Sequence, residues 1–174
     1  MKTTEMQDHI DELAALHGIV VQQRYNLPGM MFCEEQPPRI EGPSLAPCEC
    51  APSSNIAYMA NLHEIGHVVH GHTQGRPPYE DQTYYFDHGV LRCEAEAWNF
   101  ALDECRVKLS KRDCAYMADR YFGSYIMAAR RANGKGGQRL PNGNRHWVEF
   151  TFDDPDDPYV QTTFERLTNA HKEA

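Results

Sequence analysis

The residue pattern with the clearest chemical meaning is the segment His63-Glu64-Ile65-Gly66-His67. Residues four apart on a helix lie on the same face, one turn apart, so His63 and His67 can hold one tetrahedral zinc ion. Glu64 projects about 60° around the helix from His67, at roughly 100° per residue. It would flank the metal without binding it, which suits a general base acting on a water molecule that the metal activates.

The helix that would carry this segment is apolar on nearly all sides. We predict it from about Asn55 to His70, because Ser53 and Ser54 are helix-starting residues and Gly71 follows. A surface helix would instead show one charged face. A buried stripe of imidazoles needs partners, and one metal ion satisfies several of them. The alternative is that these histidines are ordinary hydrogen-bonded core residues.

A third ligand is expected from a second helix, predicted over about Leu91–Leu109. On a helical wheel, Glu94 lies within the apolar stripe of this helix, whereas Glu96 falls roughly on the outward side. A carboxylate that points into a core is costly unless it is paired or bound to metal. Glu94 is therefore the predicted ligand, and Glu96 is the alternative.

Two stretches of this sequence, His63–His72 and Glu94–Ala101, together resemble the ImmA/IrrE-type metallopeptidases, including small phage-encoded members. The family shares a His-Glu-x-Gly-His helix and a following Glu-x-x-Ala helix, and the match covers about residues 56–105. The resemblance implies a gluzincin-type fold with His63, His67 and Glu94 as zinc ligands and Glu64 as the catalyst. It also implies regulatory proteolysis of a protein such as a transcriptional regulator.

The remaining sequence predicts one α+β domain over residues 1–174: a small zincin-like domain whose metal-binding helices pack on a small, twisted, mostly antiparallel sheet. A short edge strand is predicted near Arg39–Ser44, because the prolines of Pro37–Pro52 argue against a central strand or a helix. The other predicted elements are helices over Glu5–His17, Ser110–Ala132 and Asp157–Ala170, and strands over Ile19–Tyr25, Met30–Glu34 and Trp147–Phe152.

A long loop, His72–Gly89, separates the two predicted metal-binding helices. Long loops inside compact domains are often functional. Hydrolysis of an amide also needs a donor that stabilises the developing oxyanion. His88 and Tyr85 in this loop are the candidates for that role.

Composition limits the partners and the location of the protein. The net charge of −8 argues against stand-alone nucleic-acid binding, because an acidic surface repels phosphate. No apolar run approaches the roughly 18–20 residues of a membrane-spanning helix, and the first residues lack a secretion signal. We therefore expect a cytoplasmic protein with reduced thiols. Cys33, Cys48 and Cys50 leave open a second, structural metal site, and the oligomeric state is open too.

The sequence thus predicts an HExxH metallopeptidase with zinc as its cofactor and a protein as its substrate. A first alternative is a catalytically silent zincin-fold binding protein of a phage or mobile element. The intact Glu64 argues against it, because a scaffold needs only the metal ligands. A second alternative is a protease of DNA–protein crosslinks in the manner of SprT-like enzymes, against which the acidic charge argues.

Overall fold

The computed structural model describes residues 1–26, 30–32, 36–72, 90–134 and 154–172, with the backbone alone at 30–32, 90 and 131–134. The chain has an α+β architecture. Its strands are β1 (Val20–Arg24), β2 (Met30–Phe32) and β3 (Arg39–Pro43). Its helices are α1 (Thr3–His17), α2 (Ser54–Val69), α3 (Val90–Asp103), α4 (Lys111–Tyr116), α5 (Gly123–Gly134) and α6 (Pro158–Asn169), with a π-helical segment at Met117–Phe122 and a 3-10 turn at Ala170–Lys172.

The three strands form one mixed sheet in the order β1-β3-β2. β1 and β3 run parallel, with Arg24 opposite Pro43, and β2 pairs antiparallel with β3. Two predictions are therefore wrong for the described strands: their sheet is not mostly antiparallel, and the proline-flanked strand is central rather than at an edge. Pro37 and Pro38 precede β3 and Pro43 ends it, so the missing N–H groups fall outside the interior of the ladder.

Helix α2 is buried on every side, as its sequence predicts. All residues from Ile56 to His67 are buried. The helix packs on β3 at Gly42, where a Cβ atom would overlap the side-chain oxygen of Asn61. Asn61 donates a hydrogen bond to the Pro43 carbonyl at 2.9 Å. The sheet therefore supports the helix that carries the histidines by direct contact.

Helix α3 ends at Asp103, whereas the sequence predicted it to continue to about Leu109. Beyond the helix, Val107 and Leu109 are buried while Arg106 and Lys108 are exposed. Burial that alternates with every residue is the pattern of extended chain. Apolar residues at this spacing can be buried in the core from an extended chain. This is why the predicted helix was too long at its C-terminal end.

The predicted helix over Ser110–Ala132 is present as a helical run that contains the π-helical segment. Gly123 ends that segment, and a Cβ atom there would collide with the Ala118 carbonyl oxygen. The predicted strand Trp147–Phe152 lies outside the described residues. Among the helices that the structure describes, none is long and apolar enough to cross a membrane.

Asp113 joins the beginnings of two helices. Its carboxylate accepts hydrogen bonds from the hydroxyls of Ser53 and Ser110, each at 2.8 Å. Ser53 is the N-cap of α2, and Ser110 is the N-cap of α4. Burial would raise the pKa of Asp113, but the hydrogen bonds from both serines lower it below its ordinary value. One buried carboxylate therefore fixes α2 against α4.

Replacing Asp113 with Ala is expected to lower the free energy of unfolding by about 1.5–3 kcal/mol, the range for hydrogen bonds to a charged group. Because folding lowers this pKa, the stabilisation is complete above the ordinary value of 3.8 and is lost as the pH falls below it. Urea unfolding at pH 7 and pH 3 measures both effects. The exposed Asp119→Ala variant is the control, expected within about 0.5 kcal/mol of wild type. Equal stability of the two variants at pH 7 would contradict the prediction.

Candidate metal centre

Three possible metal ligands from two helices converge between α2 and α3. His63 and His67 lie one turn apart on α2, and Glu94 lies on α3. The two Nε2 atoms are 3.0 Å apart. His63 Nε2 lies 3.2 Å from Glu94 Oε2, and His67 Nε2 lies 3.5 Å from Glu94 Oε1. All three residues are buried, so the structure brings together the three ligands predicted from the sequence.

Gly66 permits this convergence, because it lies where α3 crosses α2. A Cβ atom at Gly66 would be 3.0 Å from the carbonyl oxygen of Ala97 and 3.1 Å from its Cα. Any larger side chain would therefore push against the backbone of α3. Since Ala97 is three residues after Glu94, the separation of the helices at this point also sets how closely Glu94 approaches the histidines.

The spacing of the three ligand atoms fits a small divalent metal ion. Metal–ligand bonds of about 2.0–2.1 Å at a tetrahedral centre place the ligand atoms roughly 3.3–3.4 Å from one another. Here the two Nε2 atoms are 3.0 Å apart, and they lie 3.2 Å and 3.5 Å from the two different oxygens of Glu94. Three protein ligands also leave the fourth position of a tetrahedral ion open, as in catalytic metal sites.

The hydrogen-bonding of the group also favours a cation. Oε2 of Glu94 is buried and has no hydrogen-bond partner within the described ranges, which is costly for a carboxylate oxygen. Burial and the neighbouring His67 lower the pKa of His63 to about 4, so the ring is neutral and keeps a lone pair for a metal. Burial would raise the pKa of Glu94, but His63 and His67 hold it well below its usual range. The carboxylate therefore stays charged.

Glu64 lies beside the ligand group without belonging to it. Its side chain is buried, with 8% of the residue exposed. Burial raises the pKa of Glu64 to about 7; His67 opposes this shift and the negative charge of Glu94 adds to it. A carboxylate that titrates near neutrality can take up and return a proton, which is what a general base must do.

Glu96, the alternative ligand, is outside the ligand group. Its carboxylate instead contacts His72 Nε2 at 3.0 Å and Arg92 Nε at 3.4 Å. His70 is an exposed residue that caps the end of α2 and is likewise outside the group. Of the two glutamates that the sequence offered, the structure brings Glu94 to the histidines.

Aromatic rings form one wall of the site. Trp98 stacks on His63 with the ring centroids 4.3 Å apart and the planes 29° from parallel. Tyr121 stacks on the indole at 5.9 Å and 18°. Trp98 is almost fully buried. This stack restricts the orientation of the His63 ring and excludes water from one side of it.

Tyr125 on α5 lies close enough to Glu94 and Glu64 for their negative charges to act on its hydroxyl. The negative charge of Glu94, burial and the charge of Glu64 raise the pKa of Tyr125 far above its usual range. The hydroxyl therefore remains protonated and can donate. No motif or spacing in the sequence distinguishes Tyr125, although it lies on a predicted helix. The donors predicted instead, His88 and Tyr85, lie outside the described residues.

Of the three cysteines that could form a second metal site, the structure describes Cys48 and Cys50. Cys48 and Cys50 face each other with their Sγ atoms 2.9 Å apart, and Cys33 lies outside the described residues. Neither described cysteine belongs to a group of three metal-ligating side chains within those ranges.

Comparison of this chain with protein-family models, with curated proteins and with solved structures gives no match. The resemblance to ImmA/IrrE-type metallopeptidases therefore stays a prediction based on about residues 56–105. The geometry of the candidate metal centre is therefore the observation from which the function is inferred.

Proposed function

We propose that this chain is a zinc-dependent metallopeptidase that hydrolyses peptide bonds in a protein substrate. One observation carries the proposal: ligand atoms of His63, His67 and Glu94 lie within 4.8 Å of one another in a buried site, with Glu64 beside them. Zinc is the proposed ion, because two imidazoles, one carboxylate and an open fourth position are the ligand set of several zinc peptidases.

The residues of the site have complementary chemical roles in this proposal. A bound zinc ion supplies Lewis-acid chemistry, lowering the pKa of water from about 15.7 to about 7 and polarising a carbonyl oxygen. Glu64 accepts a proton from the attacking water and transfers it to the leaving amine. The Tyr125 hydroxyl donates a hydrogen bond to the oxygen that becomes negative during attack.

The finer aspects of the proposal come from the sequence resemblance. They are a zincin-like fold of the gluzincin type and a transcriptional regulator as substrate. The proposed cytoplasmic location comes instead from the composition of the sequence. The α+β architecture and the sheet packed on α2 are compatible with such a fold.

Metal analysis and a cleavage assay on the same preparation test the proposed function. The purified protein is expected to contain about one zinc ion per chain and to cleave members of a proteome-derived peptide library, read by mass spectrometry of new termini. A chelator should abolish cleavage, and stoichiometric zinc should restore it. Zinc binding without any cleavage would support the silent binding protein instead. A chain that binds no zinc would refute both.

Replacing Tyr125 with Phe is expected to reduce kcat about 10²–10³-fold, the usual cost of removing one oxyanion donor. Zinc content should not change, because the hydroxyl is not one of the three ligands. The matched control is Tyr121→Phe, since the Tyr121 hydroxyl donates to the Cys50 carbonyl outside the ligand group. Steady-state kinetics on one cleaved peptide measures both variants. An equal loss of kcat in the two variants would show that the Tyr125 hydroxyl has no specific role in the reaction.

A further inference from the structure

A line of hydrogen-bonding side chains leads away from the metal centre through His67. The Nε2 atom of His67 faces Glu94 at 3.5 Å, while its Nδ1 atom lies 2.9 Å from Nδ1 of His72. On the far side of His72, Nε2 lies 3.0 Å from Oε2 of Glu96. Arg92 Nε contacts the other oxygen of Glu96 at 3.4 Å. His67 therefore lies between two carboxylates of α3. Glu94 faces its Nε2 atom directly, and Glu96 faces its Nδ1 atom through His72.

The end of α2 explains how His72 reaches His67. Gly71 has a left-handed backbone with φ of 69°, which glycine adopts without strain. The amide of His72 donates to the His67 carbonyl at 2.9 Å, and the amide of Gly71 donates to the Val68 carbonyl at 3.0 Å. These two bonds define a Schellman motif, which sets the second residue after the C-cap His70 against the third residue from the end of the helix. Here those two residues are His72 and His67.

With a metal ion on Nε2 of His67, counting hydrogens along this line leaves one arrangement that satisfies the contacts of His72 with His67 and with Glu96. A neutral imidazole carries a hydrogen on one nitrogen and a lone pair on the other. If Nε2 of His67 is to bind a metal, its hydrogen must be on Nδ1 and must be donated to Nδ1 of His72. The hydrogen of His72 is then on Nε2, where the Glu96 carboxylate accepts it. The reverse order would aim a lone pair of His72 at the negative charge of Glu96.

We propose that His72 and Glu96 are positioning residues that hold His67 in the Nδ1–H form, with its Nε2 lone pair aimed at the metal. This inference rests on the proposed metal centre and extends it. A carboxylate behind a metal-bound imidazole is a common arrangement; in this chain a second imidazole lies between the carboxylate and the ligand. The ion pair of Arg92 with Glu96 keeps that carboxylate in place, and the Arg92 guanidinium stacks 4.7 Å above the Tyr159 ring.

The decisive measurement is the hydrogen position on His67, read from imidazole 15N shifts of the zinc-free wild-type chain. We expect the Nδ1–H form, and in Glu96→Ala a mixture of both forms. A merely structural role of Glu96 would leave these shifts unchanged. Predominance of the Nε2–H form in the wild type would overturn the proposal, whatever the protein does with zinc.

Zinc affinity, measured by competition with a chromophoric chelator, is the second readout. Glu96→Ala and His72→Phe are expected to weaken binding about 10–100-fold. His72→Asn supplies an amide oxygen that can accept the His67 hydrogen, so it should recover most of the affinity. The control is Glu104→Ala, because Glu104 faces a different buried histidine, His9, at 3.8 Å. Its affinity should equal that of the wild type.

These results separate this inference from the proposed function. Zinc binding and peptide cleavage by the wild type, with unchanged zinc affinity in Glu96→Ala, would refute the positioning role and leave the peptidase intact. A second combination of results is possible: the wild type holds His67 in the Nδ1–H form and Glu96→Ala loses this preference, but the wild type binds zinc without cleaving peptides. These results would support the positioning role and refute the peptidase.

Discussion

Replacing Glu64 with Gln is expected to lower kcat for peptide hydrolysis about 10²–10⁴-fold, the contribution of a positioned general base. The amide of Gln cannot accept the proton of the attacking water, although it has nearly the shape of the carboxylate. Zinc should remain bound, because the group that can hold the metal comprises His63, His67 and Glu94. The variant therefore separates proton transfer from metal binding.

The measurement compares kcat and zinc content in wild type, Glu64→Gln and Glu49→Gln. Glu49 is an exposed glutamate outside the metal centre, so its variant should match the wild type in both. Turnover by the Glu64 variant at the wild-type rate would remove this residue from the mechanism. Loss of zinc together with activity would show that Glu64 acts on the metal site rather than on the water.

Replacing Gly66 with Val is the second change with a large expected effect. The new side chain would press on the backbone of α3 at Ala97, where even a Cβ atom lies at 3.0 Å from the carbonyl oxygen. Overpacking of this kind typically costs about 1–3 kcal/mol. Because α3 carries Glu94, a shift of the helix would also separate the carboxylate from the histidines. Zinc affinity should fall more than about tenfold, since even supporting residues of metal sites contribute that much.

Thermal unfolding and chelator competition measure the two effects of Gly66→Val separately. Gly66→Ala should show the same changes to a smaller degree, because a single methyl group needs only a small adjustment. Ala115→Val, at an exposed position of α4, is the control for adding a branched residue to a helix. Wild-type zinc affinity in Gly66→Val would show that the close contact of α2 with α3 does not determine the ligand spacing.

The candidate metal ligands could be predicted because their geometry is mostly local. A helix fixes His63 and His67 one turn apart, whatever surrounds them. Glu94 was distinguishable from Glu96 by the cost of an inward carboxylate, which appears on a helical wheel. The start of α2 and the end of α1 follow from capping residues, because Ser53 is the N-cap of α2 and Gly18 ends α1 in a left-handed conformation. The start of α1, at Thr3 rather than Glu5, has no such residue.

The remaining features depend on contacts between distant parts of the chain. Whether β3 is central is decided by its pairing with both β1 and β2, which no short segment encodes. Tyr125 lies on α5, a separate helix later in the chain, and its sequence neighbours give no sign that it comes near Glu94. Glu96 appeared to face outward on an isolated helix, but its partner His72 comes from the turn after α2.

The burial of α2 from Ile56 to His67 has a consequence for how metal binding and folding interact. The helix that forms the centre of the core also contributes two of the three proposed ligands, so the site exists only while the core is assembled. An ion that binds the folded chain alone stabilises it by mass action, by about 2.7 kcal/mol at a free concentration 100 times Kd. Zinc supply would then help to set the lifetime of the protein as well as its activity.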